Sequence, residues 1–251
     1  MSRKPIIAGN WKMYKTRQEA ADLANGLVSR VGTKKDVEVV LCPTYTSLET
    51  VAQAIRGSQI RLGAQNCYFE DQGAFTGEIS LPMLKEIGVH YVIIGHSERR
   101  QFFGETDANI NKKAAAIYRH GLTPIICVGE MLEERKANRT ADVVTKQVEG
   151  CLAGLPADKV AESVIAYEPV WAIGTGVVAT KEQAQEAHAL IRAVVGKMFS
   201  QNVAEAVRIQ YGGSVKPNNV TEIMVQPDVD GALVGGASLE ADSFAGIVNF
   251  G

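Results

Sequence analysis

The chain has 251 residues, 46% hydrophobic and 22% charged, with a formal net charge of -2. This is ordinary globular composition, long enough for two small domains or one large α/β core. The near-neutral charge, with neither a basic stripe nor an acidic run, excludes a nucleic-acid binder and a disordered chain from the leading readings.

Apolar runs alternate with amphipathic segments from end to end. The runs that read as strands are Ile6–Asn10, Val37–Cys42, Ile60–Gln65, Val89–Ile94, Thr123–Val128, Val164–Glu168, Arg208–Tyr211 and Gly231–Val234. The segments between them predict helices at Arg17–Val31, Ser47–Ile55, Leu81–Ile87, Asp107–His120, Glu130–Leu152, Lys181–Met198 and Asn218–Met224, with a last one from Ser238 to Asn249. Continuous apolar runs, as opposed to strict alternations, suit a parallel sheet covered on both faces. Such a series in about 250 residues is the size of a single-domain α/β (β/α)8 barrel, here over residues 1–251. A doubly wound open sheet is the alternative, but no GxGxxG follows the first strand. The longest apolar runs are too short to span a bilayer. The N-terminus, M-S-R-K-P-I-I-A-G-N, lacks the apolar region of a signal peptide, so a cytoplasmic location is expected. Cys42, Cys67, Cys127 and Cys151 form no CxxC pair and read as reduced thiols.

In such a barrel, the residues just after the strands share one face, where catalytic groups gather. After strand one stand Asn10, Trp11 and Lys12. After strand four comes Gly95-His96-Ser97-Glu98-Arg99-Arg100. Strand six delivers Glu168, followed at once by Pro169. Gly212-Gly213-Ser214 follows strand seven and Gly235-Gly236 follows strand eight. Singly, each has a bland explanation: a solvated lysine, a core histidine, a turn glycine. Their concentration on one side favours an enzyme.

The stretch after Glu168 reads as a lid. Pro169, Val170, Trp171 and Ile173 are apolar where polarity would be easy, Gly174 and Gly176 bracket Thr175, and Val177-Val178-Ala179 leads to a helix. Closing such a lid would desolvate the carboxylate and make it a stronger base. The paired glycines let backbone N–H groups converge on an anion, most naturally a phosphate, with Ser214 adding a hydroxyl and Lys12 a charge. His96 opens a helix, whose N-terminus disfavours the imidazolium, so a neutral ring that donates a hydrogen bond is expected. His90, His120 and His188 read as structural. No metal-ligand spacing or cofactor motif appears, and none is expected to be needed. A base, a neutral donor, a lysine and a phosphate cradle can enolise a carbonyl phosphate, which fits an aldose–ketose isomerase.

The motifs G-N-W-K-M (Gly9–Met13), A-F-T-G-E (Ala74–Glu78), G-H-S-E-R-R (Gly95–Arg100), A-Y-E-P-V-W-A-I-G-T-G (Ala166–Gly176), Y-G-G-S-V (Tyr211–Val215) and V-G-G-A-S-L (Val234–Leu239) resemble the triosephosphate isomerase family, over essentially the whole chain. The resemblance implies a TIM barrel with Glu168 as base and His96 as electrophile. Asn10, Trp11 and Lys12 would bind substrate, and Gly174, Ser214, Gly235 and Gly236 would hold its phosphate. Glu98 would lie near Lys12, and Cys127 near the base. The long connection Asn66–Ile79 would insert into a second subunit through Phe75, Thr76, Gly77 and Glu78 and form a homodimer.

Two positions depart from the family's pattern. Val177-Val178 stands where most members begin the second hinge with Lys, and Tyr14 stands where many have Asn. β-branched residues favour extended backbone, so altered lid kinetics with unchanged chemistry is expected. Two rival functions carry less: a Schiff-base aldolase using Lys12, which has nothing apolar around it, and a scaffold on a retired enzyme fold, which should have lost one of Lys12, His96 or Glu168.

Overall fold

A computed structural model describes residues 3–173 and 179–251. Its strands are β1 (Ile6–Asn10), β2 (Glu38–Cys42), β3 (Arg61–Ala64), β4 (Tyr91–Ile94), β5 (Thr123–Val128), β6 (Val164–Tyr167), β7 (Arg208–Tyr211) and β8 (Gly231–Val234). Each pairs in parallel with the next, and β8 pairs with β1, so the sheet closes into a barrel. Ile7 lies opposite Val39 on one side, and Gly9 opposite Val234 on the other.

The strand composition follows from this closure. Alternate residues such as Ile6, Ala8, Val40, Cys42, Ile93 and Ile125 form one cluster inside the barrel. Their neighbours Ile7, Val39, Leu41, Val92, Ile94 and Ile126 belong to a second cluster, under the helices. Both faces are dry, so neither face of the strand is polar in sequence. At the amino ends of the strands, Arg208 pairs with Glu38 at 2.5 Å and donates to the Tyr91 hydroxyl at 3.1 Å. This part-buried polar knot sits at the mouth opposite the candidate site.

The helices are α1 (Arg17–Val31), α2 (Leu48–Ala54), α3 (Leu81–Glu86), α4 (Ser97–Phe102), α5 (Asp107–Arg119), α6 (Leu132–Lys136), α7 (Thr140–Leu152), α8 (Ala157–Glu162), α9 (Lys181–Met198), α10 (Gln201–Ala206), α11 (Val220–Met224) and α12 (Ala241–Val248). The expected single helix over Glu130–Leu152 is in fact two. Asn138, at φ 56°, turns the chain between α6 and α7, and asparagine is one of the few residues that enter this left-handed region readily. The last helix starts later than expected, after a 3-10 turn at Gly236–Leu239. The short α8 and α10 were not anticipated. α10 is marked by its cap, the Ser200 hydroxyl accepting from the Val203 N–H. Strand six stops at Tyr167, which leaves Glu168 as the first residue beyond the sheet.

Candidate active site

Glu168 is held from both flanks. Its N–H donates to Val128 O at 2.7 Å, while the Gly212 N–H donates to Tyr167 O at 2.7 Å. The slot it occupies is made by missing side chains. A Cβ on Gly129 would lie 1.7 Å from Glu168 O, and one on Gly212 would lie 2.9 Å from Glu168 Cγ. Gly212 therefore makes room for the carboxylate, a use different from the anion cradle expected of it. The Cys127 thiol packs against the same carboxylate.

The carboxylate is 2% exposed and fully partnered. The Ser97 N–H donates to Oε2 at 3.0 Å, and the Ser97 hydroxyl to Oε1 at 3.3 Å. His96 Nε2 lies 2.9 Å from Oε1. On the other side of the ring, Nδ1 accepts from the Glu98 N–H at 3.3 Å as the cap of α4. An acceptor at Nδ1 places the ring proton on Nε2, pointing at Glu168.

Burial alone would raise the carboxyl pKa of Glu168. The electrostatic pull and hydrogen bond of the His96 ring, with the Ser97 N–H, outweigh it and hold the group below its ordinary value. For His96, burial pushes down and the Glu168 carboxylate pulls up, with a net rise. The helix N-terminus argument anticipated the opposite direction. It omitted the carboxylate, which is closer and carries a full charge.

Lys12 sits across the mouth in an unusual backbone conformation, φ 51°. Its N–H donates to Asn10 Oδ1 at 3.1 Å, and Gln65 Nε2 donates both to Lys12 O at 2.8 Å and to Cys42 O at 3.0 Å. A non-glycine residue is kept in this region only by such surrounding contacts. Its Nζ lies 2.6 Å from Glu98 Oε1. A cavity of about 790 Å³ brings together Asn10, Lys12, His96, Glu168, Ile173, Ser214, Gly235 and Gly236. Trp11 is not among them. Its side chain is fully buried in the core, and only its backbone, with N–H on Cys42 O at 3.1 Å, belongs to the turn.

The described residues that follow Glu168 are fixed. Val170–Ala172 form a 3-10 turn after Pro169. Trp171 Nε1 donates to Glu130 Oε1 at 2.9 Å, and the Tyr167 hydroxyl donates to the same carboxylate at 3.1 Å. On the far side, Ala179 is buried and Thr180 caps α9, its hydroxyl accepting from the Gln183 N–H at 3.2 Å. Gly174, Thr175, Gly176, Val177 and Val178 lie outside the described residues. In the Asn66–Ile79 connection, Phe75 is half-exposed against Tyr68, with centroids 4.6 Å apart, and Thr76, Gly77 and Glu78 are exposed. Met13, Tyr14, Met83 and Phe102 are also exposed.

Three residues escaped sequence reasoning in their actual use. Ser97 holds the carboxylate, Gln65 holds Lys12, and Glu130 holds Trp171. All three stand just after β4, β3 and β5, so the strand-end rule applied to every strand would have found them.

A closed parallel barrel with a buried carboxylate–imidazole pair and a lysine at the carboxyl ends of its strands defines a barrel enzyme of the proton-moving class. The particular kind follows from kinship. The chain belongs to the triosephosphate isomerase family, whose model matches residues 5–251. A triosephosphate isomerase of Moorella thermoacetica is 58% identical over 248 residues, 99% of each chain. That of Clostridium acetobutylicum is 59% identical over 248 residues, 99% of this chain and 100% of its own. That of Geotalea uraniireducens is 56% identical over the same length. The protein is an isomerase on a (β/α)8 barrel.

Proposed function

We propose that the protein interconverts dihydroxyacetone phosphate and D-glyceraldehyde 3-phosphate, a step of glycolysis and gluconeogenesis, with Glu168 moving the proton. The carboxylate takes a proton from the carbon beside the carbonyl. The C–H electron pair becomes the enediolate double bond, and the carbonyl π pair moves onto oxygen. His96 Nε2–H, with the Asn10 amide and the Lys12 ammonium, stabilises that oxygen. The hydroxyl on the deprotonated carbon gives its proton, by way of His96, to that oxygen, its O–H pair becoming the new carbonyl π bond, and Glu168 returns its proton to the former carbonyl carbon, which takes it on the C=C pair. Ser214 and the backbone at Gly174, Gly235 and Gly236 hold the phosphate, while Trp11 contributes through its backbone. Glu98 orients Lys12, and Cys127 packs against the base. The segment Pro169–Ala179 serves as the lid. No metal or cofactor is needed for this proton traffic.

The observation that carries the reading is the His96–Glu168 contact of 2.9 Å on the wall of the cavity that Lys12 shares. In the present arrangement the carboxylate is stabilised by donors. Reaching a carbon acid means giving up the two Ser97 donors, which raises its basicity at the moment of use. Assembly as a homodimer through Asn66–Ile79 is part of the proposal, supported by exposed Phe75 and its aromatic neighbours. So is a cytoplasmic location; no helix among the described residues is long and apolar enough to cross a membrane.

Solvent deuterium incorporation into dihydroxyacetone phosphate, followed by NMR, tests the mechanism. Wild type is expected to place label beside the carbonyl as the aldehyde appears. Glu168→Ala is expected to lose turnover and label together, while still binding glycerol 3-phosphate. Near-normal turnover in that variant would exclude Glu168 as the base.

A further inference from the structure

The reactive pair depends on α4, which is only six residues long. A helix of this length has no stability of its own. Yet its start carries three groups that hold the reactive side chains: His96 and Ser97 on the Glu168 carboxylate and Glu98 on the Lys12 ammonium. The helix's position must be set by contacts with the rest of the fold, and one guanidinium of α4 itself makes several of them. Arg100 Nε donates to Gly95 O at 2.9 Å, fixing the peptide plane that leads into His96. Its Nη2 donates to Cys127 O at 3.1 Å, on the residue whose thiol packs against Glu168, and lies 3.5 Å from Cys151 Sγ. Its Nη1 pairs with Asp107 Oδ1 at 2.6 Å, at the start of α5.

The peptide on the other side of Gly95 is fixed too. The Gly95 N–H donates to Glu105 Oε2 at 3.0 Å. Gly95 itself has φ 71°, and a Cβ there would lie 2.7 Å from Ile110 Cδ1, so this turn against α5 takes only glycine. Asp107 is wedged in turn. A Cβ on Gly150 of α7 would come within 2.9 Å of Asp107 Cβ. Resting on the isomerase reading above, we propose that Arg100, braced by Asp107, is the positioning residue that sets the His96–Glu168 distance by tying the backbone beside each to a single planar group. The planar fork is essential to this. Lysine offers one rotating point of attachment and cannot span Gly95 O, Cys127 O and Asp107 at once.

The test uses the full-length protein and three variants. Arg100→Lys is expected to lower kcat on the order of 10²-fold, the size of effect an ångström-scale misplacement produces. KM and the inhibition constant of glycerol 3-phosphate should stay at wild-type values, because the phosphate cradle is on other strands. Arg100→Ala should regain turnover on adding guanidinium chloride at sub-denaturing concentration, and not on adding urea. A cavity of about 280 Å³ beside Arg100 and Gln101 gives the ion a way in. Wild-type kcat in folded Arg100→Lys would overturn the proposal, as would equal losses in kcat and glycerol 3-phosphate affinity, or no rescue by guanidinium. Should both Arg100 variants fail to fold, Asp107→Asn decides by the same split between kcat and inhibitor affinity; unchanged kcat overturns. Absence of turnover in the wild type would count against the isomerase reading and not against the clamp.

Discussion

Glu168 and His188 are both buried, and they meet burial in opposite ways. Glu168 keeps its charge because donors were built around it. His188, fully buried on α9, has only Nδ1 engaged, at 3.2 Å from Asp228 O, and its Nε2 finds no hydrogen-bond partner among the described residues. Burial pushes its pKa down to about 4 from 6.5. In the unfolded chain this ring takes up a proton near 6.5, and in the folded chain only near 4. The unfolded state therefore binds more protons in that window, and stability is lost as pH falls from about 6.5 to 4. The loss from this one ring is on the order of 3 kcal/mol. Urea unfolding at pH 7 and pH 4.5 should show it, and His188→Asn should flatten the difference between the two. An equal slope in the variant would assign the acid sensitivity elsewhere. Residues of this kind were only half legible in the sequence. That His188 is structural follows from its place mid-helix. That Gly212 makes room for the carboxylate does not, because a glycine pair at a strand end reads as an anion cradle until the neighbouring strand is in place.

At the scale of elements, strand identity was the most legible feature and helix continuity the least. A strand buried on two faces needs an apolar run, and such runs are visible. A helix that stops and restarts needs only one residue in the left-handed region, and the amphipathic pattern continues across it. Asn138 is that residue between α6 and α7. Asn138→Val should cost about 1–2 kcal/mol, since a β-branched side chain is strained there. A urea midpoint lowered without change in slope, with kcat unaffected, would be the signature. An unchanged midpoint would mean the turn is held by its neighbours alone. The break has a use. It places α6 so that Arg135 lies 5.1 Å from the centre of the Trp171 ring and 3.3 Å from Glu130 Oε1. Trp171, at the start of the proposed lid, is thus held by a helix of only five residues.

For the whole molecule, the barrel and the one-sided site were both legible, because alternating units fix the topology and strand ends fix the face. The proposed surface between subunits shows in the sequence only as aromatic residues on a long connection. Sedimentation equilibrium should give twice the 27.0 kDa chain mass. Thr76→Arg, placing a charge at the tip of the exposed loop, should give the single-chain mass and a reduced kcat; a monomeric wild type would remove the loop's proposed role. Closure of the sheet also bears on how the protein is made. β1 is synthesised first, but its second neighbour, β8, is synthesised nearly last. On the ribosome the growing sheet therefore carries two open edges until Val234 emerges, and a stalled or truncated chain is an unclosed ring with strand edges exposed for pairing with other chains. Joining the present termini and cutting instead at the exposed turn Arg56-Gly57, between α2 and β3, would move that vulnerable interval without altering a single contact across the β1–β8 seam.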